Sequence, residues 1–249
     1  MSPIQQTQQD IESNKRTVAV YAAGTAAVLT VFRLNRAAAT ALLERAPEWG
    51  ALLNLHLFVS LLAVTLALSA LQALCFARMG AHLDYPIWRR AAPRTALREF
   101  LPVWFVINLG VTTLMSVAGS VALSSPAPTA GFLLLVSCAA LCAATPAGAA
   151  VMFHAQSGPA APRDAAVCLL RNLPALAPAL LLGLMQVVCG DLFQAAFPSS
   201  SFLDIALLGL CDLPLALMEC AILAISWRVC MADRDRAQAE ENALDDDDY

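Results

Sequence analysis

Six apolar runs, separated by shorter polar or charged stretches, set the rhythm of the chain. Residues 1–16 (MSPIQQTQQDIESNKR) are polar and read as a leader. TVAVYAAGTAAVLTVF, 17–32, is uncharged but only 16 residues long. A bilayer core takes about 20 residues in a helix, with a range near 17–25. The first run is therefore a thin span or an interfacial helix. Arg33 and Arg36 directly after it make a poor signal-peptide cleavage region, which favours a retained segment.

The clearest span is 51–77, 27 residues whose ionisable groups are His56 and Cys75. Further apolar runs cover about 101–123, 130–153, 173–197 and 202–227. Thr145-Pro146 is expected to break the fourth run. Pro174 and Pro178 are expected to delay the regular helix of the fifth. None of the runs alternates apolar and polar residues as barrel strands do, and lipid-embedded backbone must satisfy its own polar groups. The predicted fold class is all-α: a polytopic transmembrane helical bundle of six segments, the first one short, with two amphipathic interfacial linkers.

The linkers are 78–100 and 154–172. The first places Arg78, Arg89, Arg90, Arg94 and Arg98 beside Trp88, a composition suited to anionic headgroups and the membrane interface. With six spans and an inner N-terminus, twelve of the fifteen basic residues lie inside. Arg33, Arg36 and Arg45 fall outside. Five spans give only ten against five. The positive residues thus favour an integral protein of a bacterial inner membrane with both termini cytoplasmic.

Composition sharpens this picture. Of 249 residues, 59% are hydrophobic and 14% charged, too few charges to solvate a compact soluble domain. Eight of the nineteen acids lie in 233–249 against two arginines, so the body carries about +2 and the acidity belongs to the end. The organisation expected is a leader over 1–16, a helical membrane domain over 17–232 and an acidic disordered tail over 233–249. No basic footprint for nucleic acid is present.

Candidate chemistry concentrates in the sixth run. Asp204, Asp212 and Glu219 are spaced by eight and seven residues, which aligns them along one helix face. Acids at membrane depth are costly and point to function. His56, Asn108 and Gln186, with Asn54 and Asp191, are the candidate companions on a proton or cation path. The plain alternative is a polar seam between helices. Pro214 leaves the Leu210 carbonyl without its helical partner, a place for a polar group.

The eight cysteines lie in or beside apolar runs and read as small core hydrophobes. They form no CxxC pair and no Cys/His ligand spacing, so no metal site, cofactor or catalytic residue is expected. Alanines and Gly148 four residues apart in the fourth run (139, 143, 147; 140, 144, 148) permit close helix approach.

The layout resembles the YciC-like bacterial inner-membrane proteins, which are similar to the membrane domain of some glycerophosphodiester phosphodiesterases. The Arg-rich linker AHLDYPIWRRAAPRTALREFLP, Pro146, the short amphipathic stretch Ala165–Leu170, Asn172 and Pro178 carry the resemblance. Here His154 and Gln156 stand near the place where an acid often follows the proline. The resemblance implies a non-catalytic membrane module. The expected function is thus a non-enzymatic accessory, lipid-associated or scaffold component, its partners the bilayer, anionic headgroups and another membrane protein. The alternative is a small proton- or cation-coupled transporter or channel subunit using the acids of the sixth run.

Overall fold

A computed structural model describes residues 3–81, 91–124, 127–199 and 201–246. The described residues include eight α-helices and two 3₁₀ segments: α1 (Pro3–Ser13), α2 (Lys15–Arg45), α3 (Gly50–Gly80), α4 (Pro93–Ser124), α5 (Ala127–Phe153), α6 (Ala161–Arg171), α7 (Leu173–Ala196) and α8 (Phe202–Asp246). Six of them (α2, α3, α4, α5, α7 and α8) are long and apolar enough to cross a membrane. Their outer faces carry large exposed side chains such as Phe132, Leu135, Leu181 and Phe202. Such faces suit lipid rather than water. The chain is an integral membrane protein of the expected class.

The six long helices close a ring. α2 packs between α3 and α8, α4 between α3 and α5, and α7 between α5 and α8, while α5 also reaches α8. α1 lies against α8, and α6 against α5. Packing is uneven along the ring. Tyr21, Phe76, Phe100, Trp104, Phe153 and Trp227 are buried together near the end of the bundle that carries Arg78, Arg94, Arg98 and Arg228, called here the Arg-rich end. Toward the opposite end, where α2 meets α3 and α7 meets α8, fewer side chains are buried.

Two close approaches hold the dense end. Where Gly148 of α5 lacks a side chain, the Trp104 ring of α4 lies 2.3–2.7 Å from an ideal Cβ position. Gly183 of α7 likewise comes within 3.1 Å of the Cys142 Cα. Gly148, one member of the small-residue spacing of the fourth run, is thus used for close contact with α4.

Several expectations change. The first segment is not short: α2 continues through Arg33 and Arg36 to Arg45, 31 residues in all. Its second half, RLNRAAATALLER, is rich in strong helix formers and ends just before Pro47. Thr145-Pro146 does not break α5, which runs on to Phe153. A proline removes one hydrogen bond and need not end a helix whose neighbours hold it. α7 begins at Leu173 itself, with Pro174 in its first turn and Pro178 inside. The acidic stretch expected to be disordered extends α8 as helix to Asp246. Its middle, 236–244, is rich in Ala, Gln, Glu and Arg, all good helix formers, so the expected boundary at 232/233 falls within one helix. The second linker does contain the expected amphipathic helix, α6, after a 3₁₀ segment at Ala155–Ala160.

Candidate functional site: a polar cavity and a thiol–imidazole cluster

Glu219 sits on α8 with its carboxylate turned into the ring. Tyr21 Oη donates to Oε2 at 2.5 Å, Gln72 Nε2 to Oε1 at 2.7 Å and Thr145 Oγ1 to Oε1 at 3.5 Å. These partners come from α2, α3 and α5, and all three are neutral. Behind them, Asn108 Nδ2 of α4 donates to Gln72 Oε1 at 2.6 Å and to Ser69 Oγ at 2.9 Å. The Asn108 contact fixes which end of the Gln72 amide faces the acid, because the acceptor is taken and the donor is left for Glu219. Five helices therefore contribute to holding one carboxylate.

Seven residues earlier on α8, or about 10 Å along its axis, Asp212 has a cationic partner. Arg33 reaches it with Nη1–Oδ2 at 2.5 Å and Nη2–Oδ1 at 2.9 Å. Between the two acids lies a cavity of 510 Å³ lined by all six long helices. Its walls are mostly apolar (Leu29, Leu68, Val111 and Leu141 among them), and its polar groups include Tyr21, Gln72, Asn108, Gln186, Asp191, Asp212 and Glu219. Thr25 Oγ1, also on the wall, is buried without a hydrogen-bond partner. Trp104 and Tyr21 close the cavity toward the Arg-rich end, where the core is dense.

The residues singled out from the sequence divide accordingly. Asp212, Glu219, Asn108 and Gln186 line the cavity. Gln186 Nε2 donates to the Leu215 carbonyl at 3.3 Å, not to the Leu210 carbonyl that Pro214 leaves open. Asp204 stands at the start of α8 in a reciprocal cap: Ser201 N–H bonds its Oδ2, and its own N–H bonds Ser201 Oγ, both at 3.1 Å. His56 is exposed, its Nε2 3.0 Å from Asn35 Oδ1. Neither reaches the cavity. Arg78, Arg94 and Arg98 are exposed at the Arg-rich end. Trp88, Arg89 and Arg90 lie outside the described residues.

Tyr21, Gln72 and Thr145 on the cavity wall, and Arg33 beside Asp212, were not foreseen. Only their polarity within or beside apolar runs marks them in the sequence.

At the Arg-rich end a second cluster forms. His154 follows α5, Cys168 lies on α6 and Cys230 on α8, with one ligand atom of each within 4.8 Å of the others. The two sulfurs are 3.6 Å apart. Hydrogen bonding with Cys230 pulls the Cys168 thiol down from its usual value to about 6, against the opposing push of burial. Asn172 Nδ2 donates both to the Cys168 carbonyl and to Asp233 Oδ1, each at 2.8 Å. The absence of a ligand spacing in the sequence said nothing about this set, because its members are brought together only by the fold.

Comparison of the chain with known protein families, curated proteins and solved structures found no match. The geometry alone carries the functional reading.

Proposed function

We propose that this protein is a small, non-enzymatic membrane carrier, coupled to protons or a small cation, with Glu219 as its binding carboxylate. The observation that carries this reading is the contrast between the two acids. Asp212 is neutralised by Arg33, whereas Glu219 meets only neutral donors at the blind end of a cavity lined by six helices. A carboxylate at membrane depth is expensive unless something compensates it. A proton or cation that arrives and leaves through the cavity supplies that compensation in turn. The dense aromatic packing beyond Tyr21 and Trp104 favours a carrier that rearranges over an open channel. The distribution of basic residues supports placement in a bacterial inner membrane with both termini cytoplasmic.

The test is flux in proteoliposomes under an imposed proton or monovalent-cation gradient. Parent protein is expected to carry flux, and Glu219→Gln, folded by circular dichroism, to lose it. No flux in the parent, or full flux in the variant, overturns the reading.

The accessory module implied by the YciC-like layout has one observation behind it. Beyond Arg228, α8 continues as helix to Asp246 with Asp235, Glu240 and Glu241 exposed, a surface for a basic partner. A stoichiometric partner in gentle detergent extracts, together with absent flux, would favour it.

A further inference from the structure

We propose that His154, Cys168 and Cys230 form a three-ligand zinc site, its fourth position left to water, that clamps α6 to the end of the bundle. The three first-named residues come from three different elements and bring their ligand atoms within 4.8 Å. Two Zn–S bonds of 2.3 Å at a tetrahedral angle hold the sulfurs about 3.8 Å apart. The observed 3.6 Å is close to that, whereas a disulfide needs about 2.05 Å.

Burial argues the same way. Cys168 and Cys230 are 2% and 1% exposed. His154 Nε2 is shut off with no hydrogen-bond partner. A sealed imidazole nitrogen without a partner is costly, and a nearby site for an ion explains it. Asp233 lies three residues after Cys230, one turn along α8. Its Oδ1 accepts from Asn172 and has Arg171 Nη1 at 4.0 Å, so Asp233 stands beside the three ligands as an outer partner. Asn172 ties the backbone of the ligand Cys168 to the side chain of Asp233, and the two act as outer partners that fix ligand orientation.

Two thiolates and an imidazole select zinc over magnesium or calcium, which prefer oxygen. On binding, each thiol exchanges its S–H proton for a bond to the ion, and the protons pass to the buffer. The site has no part in the cavity around Glu219 and stands independently of the transport reading. A filled site would tie α6, the end of α5 and α8 together where α8 leaves the bundle.

The test uses the full chain, reduced and stripped of metal in detergent, titrated with Zn²⁺ against a chromophoric chelator. One zinc per chain is expected, and Co²⁺ in its place should give thiolate charge-transfer bands. Cys168→Ser and Cys230→Ser should each abolish binding, while Cys75→Ser and Cys220→Ser should retain it. Asp233→Asn should weaken binding by about 10–100-fold. The proposal is overturned if the reduced parent chain binds no zinc, if both serine variants at 168 and 230 retain it, or if the Co²⁺ complex lacks thiolate bands. The parent titration and its Co²⁺ spectrum decide the matter even where a variant fails to fold.

Discussion

Arg33 and Asp212 meet across α2 and α8 through two parallel hydrogen bonds, with the carboxylate only 6% exposed. This pairing puts a positive charge inside the bundle at a place where the sequence suggested an external loop. Removing one member of a buried pair leaves the other uncompensated, at a cost of about 3–5 kcal/mol, whereas replacing both by apolar groups is often close to neutral. Asp212→Asn is therefore expected to lower stability by roughly 3 kcal/mol in detergent unfolding. Arg33→Met with Asp212→Leu should recover most of that. A double-mutant coupling near zero would mean that the pair is solvated.

Tyr21→Phe removes the shortest contact to Glu219 and nothing else of size. The Glu219 Oε2 atom would lose its donor within a buried site, and hydrogen bonds to charged groups contribute about 1.5–3 kcal/mol. The expected outcome is a loss of about 2 kcal/mol in unfolding free energy, with flux retained but altered in its pH dependence. Unchanged pH dependence would separate Tyr21 from the transported proton or cation.

How far the sequence revealed these features follows from what each depends on. Span number and approximate place are local properties, set by runs of apolar residues long enough for a bilayer, and α3, α4, α5 and α7 lie close to the runs that announced them. Helix ends depended on propensity as well as polarity, so α2 ran past Arg33 and α8 past Asp233. Asp212, Glu219, Asn108 and Gln186 stood out because polar groups are rare at membrane depth. Arg33 and the His154, Cys168 and Cys230 set did not, because their meaning lies in partners distant in sequence: Arg33 and Asp212 are 179 residues apart.

Gly148 is expected to tolerate no side chain. The buried Trp104 ring occupies the Cβ position, and its Nε1 is tied to Met152 Sδ at 3.2 Å, so the ring has little room to retreat. Gly148→Ala should destabilise the bundle by about 1–3 kcal/mol through overpacking. Gly110 and Gly119 in α4 have nothing within 4 Å of an added Cβ. Alanine there should be neutral or stabilising by up to about 1 kcal/mol. Thermal midpoints of the three variants in one detergent check this. A Gly148→Ala protein as stable as the parent would mean that α4 and α5 are less closely packed.

α1 is tied to α8 through Asp10, which receives Nε and Nη2 of Arg228 at 2.8 and 2.6 Å. Both side chains are partly exposed, at 18% and 27%, so the contribution is smaller than for the Arg33 pair. Geometry raises it above a loose surface pair, because the guanidinium engages both carboxylate oxygens. Asp10→Asn should weaken that grip by about 1.4 kcal/mol, which is a tenfold rise in local opening. Hydrogen exchange reads this directly: amides of α1 should exchange about tenfold faster, while those of α5 and the middle of α8 keep the parent rate. Equal acceleration throughout would show that α1 is an integral part of the bundle's cooperative unit; no acceleration anywhere would show that apolar contacts of α1, such as Ile11 against the core, hold it without the ion pair.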